Sequence, residues 1–277
     1  MSPCLKIAAV QMDVTLGEKS RNLDRITAAL EETSQHGAQL TIFPECAVTG
    51  YCFDSLEEAL PFSESVSGPS CEIVATACAR LGVHAIVGFL EADGERLFNA
   101  CVLIGPGGVL SCYRKIHLPF LGIDRFTTPG DRPFAVHQIG DARIGMNICY
   151  DSAFPEAARC MALDGADLIA LPTNFPPGAE CMTEHVVNTR AMENKVFYAC
   201  VNRVGVERGF SFIGHSKICD TSGRAMAAAP HADETILYAD LDLEQARTKR
   251  IVRVPDKHII DRFVDRRPEM YGRIVRE

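Results

Sequence analysis

Leu5-Lys6-Ile7-Ala8-Ala9-Val10-Gln11-Met12 is a short apolar run ending in polar residues, the pattern of a buried strand. Behind it, Glu18 to Gln35 carries Leu23, Ile26 and Leu30 at helical spacing, with Gly37 as a stop. Leu40-Thr41-Ile42-Phe43 predicts a second strand, cut off by Pro44. Pro69 to Leu81 predicts a helix with Ile73, Ala77 and Leu81 on one face, and Val83 to Leu90 a third strand. Strand, helix, strand, helix, strand is the order of a layered α/β domain.

The elements change beyond that block. Leu97 to Ile104 and Val109 to Arg114 predict two strands joined by a four-residue turn, Gly105-Pro106-Gly107-Gly108, whose spacing fits no phosphate-binding glycine motif. Phe134 to Gln138 and Ala142 to Ile148 predict a strand pair across Gly140-Asp141. Pro155 to Leu163 predicts a helix opening with Pro at an early position. Asp167 to Leu171 predicts a strand closed by Pro172, Glu180 to Asn194 a helix, and Val196 to Asn202 a strand. Glu234 to Leu241 predicts the last strand and Leu243 to Val252 a short helix. No linker, repeat or low-complexity stretch divides residues 1–277, so one domain is expected. The charged stretch 253–277 reads as an arm, either solvated or lying on a second subunit.

A chain of 277 residues can bury roughly 75% of the surface it exposes unfolded. A hydrophobic fraction of 47% and a charged fraction of 23% exclude a disordered, coiled-coil or collagen-like chain. The net charge of −8 argues against a nucleic-acid surface. No apolar run approaches the ~20 residues of a membrane span, and Met1 to Ile7 lacks the basic segment and apolar core of a signal peptide. A cytoplasmic protein with no nucleic-acid or membrane partner is expected. Its twelve cysteines are scattered from Cys4 to Cys219 without a Cys-x-x-Cys, so most read as small buried hydrophobes in a reducing compartment.

Three apolar strands stop abruptly at a polar residue. Leu40-Thr41-Ile42-Phe43-Pro44 delivers Glu45, Cys112-Tyr113-Arg114 delivers Lys115, and Ile144-Gly145-Met146-Asn147-Ile148 delivers Cys149. Ligands gather outside the carboxyl ends of strands in α/β sheets, so the three side chains can converge on one pocket. Cys149 sits between a strand and the helix near Pro155, an elbow that projects a nucleophile outward and favours its thiolate. A thiol nucleophile needs a base and a group that stabilises the oxyanion. Glu45 fits the base if apolar walls raise its pKa, and Lys115 can neutralise charge on the thiolate and the tetrahedral intermediate. His117 is the competing candidate, in the manner of a Cys–His hydrolase.

Phe43-Pro44-Glu45, Tyr113-Arg114-Lys115-Ile116-His117-Leu118-Pro119 and Met146-Asn147-Ile148-Cys149-Tyr150-Asp151 resemble, in order and spacing, the three motifs of the nitrilase superfamily of carbon–nitrogen hydrolases. Supporting matches include Ala8-Ala9-Val10-Gln11-Met12, Asn99-Ala100, Pro129-Gly130-Asp131, Asp164-Gly165-Ala166-Asp167 and Val201-Asn202-Arg203, and the likeness spans roughly Lys6 to Leu241. The resemblance implies an α/β four-layer α-β-β-α sandwich, pairing into a homodimer with a C-terminal arm that often crosses to the partner. It implies no metal and no organic cofactor. By position it implies Glu45 as general base, Lys115 as oxyanion stabiliser, Cys149 as nucleophile and the Tyr150 backbone N–H in the oxyanion hole. One departure stands out. Family members generally carry a second Glu six places before a Pro-Gly-Asp-like triplet, whereas here the nearby carboxylate is Asp124, five places before Pro129. Asp124 is the candidate second carboxylate, with a shorter reach; the alternatives are that the role is absent, or that Asp124 only pairs with Arg125 or Arg132 in its loop.

True nitrilases usually follow the nucleophile with Trp-Glu. Tyr150-Asp151 resembles the amidase and carbamoylase branches instead, so hydrolysis of a small amide or N-carbamoyl compound is expected. Tyr51, Phe120, Asn174 and Phe175 are the expected substrate-lining residues, and Arg125 is a candidate for meeting a substrate carboxylate. Arg190, Glu193 and Asn194 read as helix-holding residues. The alternatives are a true nitrilase acting on a nitrile, and a catalytically silent binding member of the fold.

Overall fold

β1 (Cys4–Gln11) is buried along nearly its whole length in the computed structural model, which describes residues 3–276. Leu5, Ile7 and Ala9 face one apolar layer, while Val10 and Met12 join another, because alternate side chains of a strand point to opposite faces. Met1, Ser2 and Glu277, the ends of the expected domain, lie outside the described residues.

The first half continues with α1 (Lys19–Gln35), β2 (Leu40–Ile42), α2 (Leu56–Ala59), α3 (Pro69–Leu81), β3 (His84–Asp93), β4 (Arg96–Gly105) and β5 (Gly108–Arg114). The second half holds β6 (Val136–Ile139), β7 (Ala142–Met146), α4 (Pro155–Leu163), β8 (Leu168–Thr173), α5 (Val187–Asn194) and β9 (Phe197–Asn202). The chain ends with β10 (Val206–Glu207), β11 (Phe210–Ser211), β12 (Lys217–Cys219), β13 (Ala225–Ala228), β14 (Thr235–Asp242), α6 (Leu243–Arg247), β15 (Ile251–Val254) and β16 (His258–Ile260).

Two six-stranded sheets result, in the orders β14-β1-β2-β3-β4-β5 and β13-β12-β9-β8-β7-β6. β1, β2 and β3 run parallel, as do β7, β8 and β9, and the flanking strands are antiparallel. Central parallel strands need cover on both faces. α1 and α3 supply it for the first sheet, packing Leu23, Ile26, Leu30, Val74 and Cys78 onto Val10, Val87 and Val102. The sheets meet through Ile7, Ile42, Ile86 and Leu103, and Met161 of α4 and Val187 and Ala191 of α5 belong to the same buried layer as the second sheet. This is the α-β-β-α sandwich.

Several local expectations are corrected. In α3 the buried face is Cys71, Val74, Ala77 and Cys78, while Ile73 is 45% exposed; the cysteines take the core positions that a count of aliphatics alone assigns to Ile73. The glycine turn is tighter than four residues, because Gly105 and Gly108 still pair and leave only Pro106-Gly107 between the strands. Pro172 does not close its strand. β8 runs on to Thr173 by pairing with β9, past the point where β7 stops pairing at Ala170, so the missing proline N–H breaks no ladder bond there. α6 ends at Arg247 rather than Val252, and β-branched Ile251, Val252 and Val254 pair with His258–Ile260 in a hairpin turning at Asp256. β12 and β13 are short strands with no counterpart among the expected elements.

Candidate active site

Lys115 lies at the end of β5 with none of its side chain exposed. A buried ammonium is tolerable only when paired and hydrogen-bonded. Its Nζ is 2.7 Å from Glu45 Oε1 and 2.5 Å from Asp124 Oδ2. Asn99 of β4 ties the two carboxylates together, Nδ2 donating to Glu45 Oε1 at 2.7 Å and to Asp124 Oδ1 at 2.8 Å. The Tyr51 hydroxyl donates to Asp124 Oδ2 at 2.8 Å. Asp124 is thus held by three donors, whereas Glu45 Oε2 is buried without a partner among the described residues.

The shorter Asp reaches in because its loop packs close. Gly122 has φ +48°, and a Cβ there would lie 2.3 Å from the Tyr51 ring. Only glycine allows the Gly122–Arg125 turn to sit against Tyr51 and carry Asp124 to the ammonium.

Burial raises the Glu45 pKa, and Asp124 adds to the rise against the pull of Lys115. Burial alone would lower Lys115, but Asp124 and Glu45 outweigh it and hold the ammonium firmly charged. Cys149 is 7% exposed. Burial, and then the Glu45 charge, push its thiol well up, against Lys115, the Thr173 hydroxyl and the Asn174 backbone N–H. Burial and the Glu45 charge thus oppose the thiolate that an elbow position favours, while Lys115 and the Thr173 and Asn174 hydrogen bonds support it.

Cys149 has φ +46°. That left-handed conformation is strained for a side-chain-bearing residue and is characteristic of nucleophile turns. The turn Cys149–Ala153 is tied down by Asp151, whose Oδ2 accepts from the Ile148 N–H at 2.9 Å and the Tyr113 hydroxyl at 2.6 Å. Arg190 donates to the Ser152 and Ala153 carbonyls, so α5 braces the same turn. His117 Nδ1 lies 2.7 Å from Asp151 Oδ1, and its ring stacks on Phe154. Among the described residues no hydrogen bond joins His117 to Cys149.

The structure separates the expected lining residues. Asn174 is buried immediately after Thr173, with both amide atoms unpartnered among the described residues. Phe175 packs in the inter-sheet core. Tyr51 stands behind Asp124, its hydroxyl occupied there, and Phe120 is 90% exposed in a surface depression with Cys52, Phe53 and Arg208. Arg125 spends its guanidinium on the Gly122 and Phe53 carbonyls. Tyr150 turns its ring outward, edge-on to Phe154. Asn99 and Asp151 hold the site together without being among its expected residues. The available signal was a polar residue inside an apolar strand, Leu97-Phe98-Asn99-Ala100, which must find a buried partner. Among the described residues, no group of three or more His, Cys, Asp or Glu side chains is placed to hold a metal ion.

The family model described as carbon-nitrogen hydrolase matches residues 6–251. The chain belongs to the carbon-nitrogen hydrolase family. This hydrolase is 38% identical over 272 residues to a protein of Pyrococcus abyssi named nitrilase, covering 97% of this chain and all of that one. It is 33% identical to an omega-amidase of Xenopus tropicalis, covering 82% and 84%. Among solved structures it resembles an amidase from Nesterenkonia sp. with TM-score 0.81 at 25% identity, covering 98% and 96%. The names of these proteins thus report different activities: nitrilase, omega-amidase and amidase.

Proposed function

We propose that this carbon–nitrogen hydrolase cleaves a small amide or N-carbamoyl compound through a thioester on Cys149, releasing ammonia. The observation that carries the reading is the free, buried Oε2 of Glu45 beside an ammonium locked by Asp124. A carboxylate so placed accepts the Cys149 proton as sulfur attacks the carbonyl carbon and the S–C bond forms. Lys115 and the Tyr150 backbone N–H receive the oxyanion. Glu45 then gives the proton to the leaving nitrogen, the C–N bond breaks, and ammonia departs. Water deprotonated by Glu45 attacks the thioester; the acid leaves and the thiol is restored. The unpartnered Asn174 carboxamide favours an acyl group that brings its own hydrogen-bonding atoms, because an alkyl chain would leave that amide unsatisfied.

A second reading, hydrolysis of a nitrile, is favoured by the name of the Pyrococcus abyssi relative. The two are separated by measuring ammonia release from simple amides, dicarboxylic ω-amides, N-carbamoyl amines and nitriles. We expect release from an amide or carbamoyl compound by the wild type and none by Cys149→Ala, with an unchanged circular dichroism spectrum for the variant. Nitriles as the only substrates would overturn the amide reading. Silence on the whole panel would overturn both.

A further inference from the structure

Glu207 lies on β10, outside the motifs that carry the family likeness, yet it is buried and fully engaged. Its Oε1 accepts from Arg203 Nη1 at 2.6 Å. Its Oε2 accepts from the backbone N–H groups of Tyr51 at 2.9 Å and Cys52 at 2.8 Å. Arg203 is itself wholly buried, donating also to Asp13 and to the Val14 carbonyl, with its guanidinium 4.2 Å above the Phe212 ring. Phe212 in turn meets the Tyr51 ring edge-on at 6.5 Å. The fit admits no side chain at Gly50, where φ is +81° and a Cβ would lie 2.7 Å from Glu207 Oε1.

We infer that Glu207 is a positioning residue for the catalytic carboxylates, acting through the Tyr51 loop. The path is short and wholly hydrogen-bonded: Arg203 fixes Glu207, Glu207 fixes the Tyr51 and Cys52 amides, and the Tyr51 hydroxyl fixes Asp124 against Lys115. This inference rests on the proposed roles of Glu45, Lys115 and Cys149, and it adds a control on how Lys115 divides itself between two carboxylates. With the Tyr51 hydroxyl in place, Asp124 shares its charge among three donors. Without it, Asp124 draws Lys115 more strongly, Glu45 loses counter-charge, and the proton on Glu45 is held more tightly. The groups facing Glu45 are Lys115, Asp124, Cys46, Tyr51, Cys101 and Cys149, and those facing Glu207 are Arg203, Cys46 and Cys52.

The test uses the intact chain and needs no substrate. Alkylation of Cys149 by iodoacetamide, followed by mass spectrometry of its peptide, is measured against pH for wild type, Glu207→Gln, Tyr51→Phe and the double variant. Alkylation requires Glu45 to be ionised to take the thiol proton. We expect each single variant to move the acid limb upward by about one pH unit, equivalent to about tenfold slower labelling on that limb. The double variant should label no more slowly than the slower single, since both act through one path. A wild-type limb in Glu207→Gln, or effects that multiply in the double variant, would overturn the inference. If Glu207→Gln does not fold, Glu207→Asp replaces it, keeping the charge toward Arg203 with a reach too short for both amides; an unshifted limb there is equally fatal. Cys149 labelling that shows no acid limb even in the wild type would instead count against Glu45 as the base.

Discussion

One ammonium between two carboxylates leaves the buried site with a formal charge of −1 when all three are ionised, and each residue there answers to that imbalance. Removing Lys115 strands Glu45 and Asp124 away from water with no cation in contact. We expect Lys115→Met to cost about 3–5 kcal/mol of stability at pH 7 by chemical denaturation. In that variant Glu45 keeps a folded-state pKa raised by burial, now without the opposing pull of Lys115. The Glu45 share of the penalty is therefore full above that raised value and fades as pH falls toward the ordinary carboxylate pKa of about 4, where the unfolded chain also takes up protons. A penalty that grows on acidification would contradict the placement of these groups. In the wild type, the raised Glu45 pKa puts the acid limb of kcat/KM above the ordinary glutamate value of about 4.3, and Glu45→Gln should abolish turnover rather than move that limb. Glu45, Lys115 and Cys149 were readable as candidates because each follows an apolar strand that ends at a polar side chain. Asp124 was only half readable, since its approach depends on Gly122 meeting the Tyr51 ring, a contact between segments far apart in sequence.

At the scale of elements, β3 shapes the site without contributing a polar group to it. A Cβ on Gly88 would lie 2.4 Å from the Cys46 amide nitrogen, 2.5 Å from the Pro44 carbonyl and 2.8 Å from the Glu45 carbonyl carbon. Those three atoms belong to the backbone that presents Glu45, so they cannot yield without moving it. Gly88→Ala should destabilise by about 1–3 kcal/mol through overpacking and lower kcat on the order of a hundredfold by displacing Glu45. A folded Gly88→Ala enzyme with wild-type kcat would show that the Glu45 backbone has slack. The strands and long helices were legible because their apolar periods are long; Pro155 to Leu163 is α4 to the residue. The α3 face is carried by Cys71 and Cys78 as much as by aliphatics, and β12 and β13 are illegible for want of a strand-forming run: Lys217-Ile218-Cys219 is enclosed by polar residues, and Ala225-Met226-Ala227-Ala228 holds no β-branched or aromatic side chain. The hairpin that replaces the end of the expected last helix was visible only as β-branching, a weak signal beside so many charges.

For the molecule as a whole, the outer layers are unequal. α1 and α3 bury their apolar faces within the chain, but the region around α4 and the C-terminal segment leaves large apolar side chains uncovered: Leu163, Met270, Ile274 and Val275, with Val264 at 80% exposure. Tyr271 and Ile274 share a depression with Pro155 and Arg159 of α4, so the end of the chain lies against that helix. Scattered exposed hydrophobes are ordinary, but their number in this one segment suits an interaction surface. We propose that a second copy of the chain covers it, with the arm beyond Arg253 at the interface. Light scattering of the full chain should then give at least twice the chain mass. Val264→Arg combined with Ile274→Arg should shift the protein toward monomer, because a dimer seam would have to bury further guanidinium groups beside Arg159, Arg262 and Arg266. The same variant should keep Cys149 labelling at the wild-type rate if the site is complete within one protomer. A wild-type protein of single-chain mass would remove the dimer from this reading, and a variant that stays dimeric would move the interface to another face.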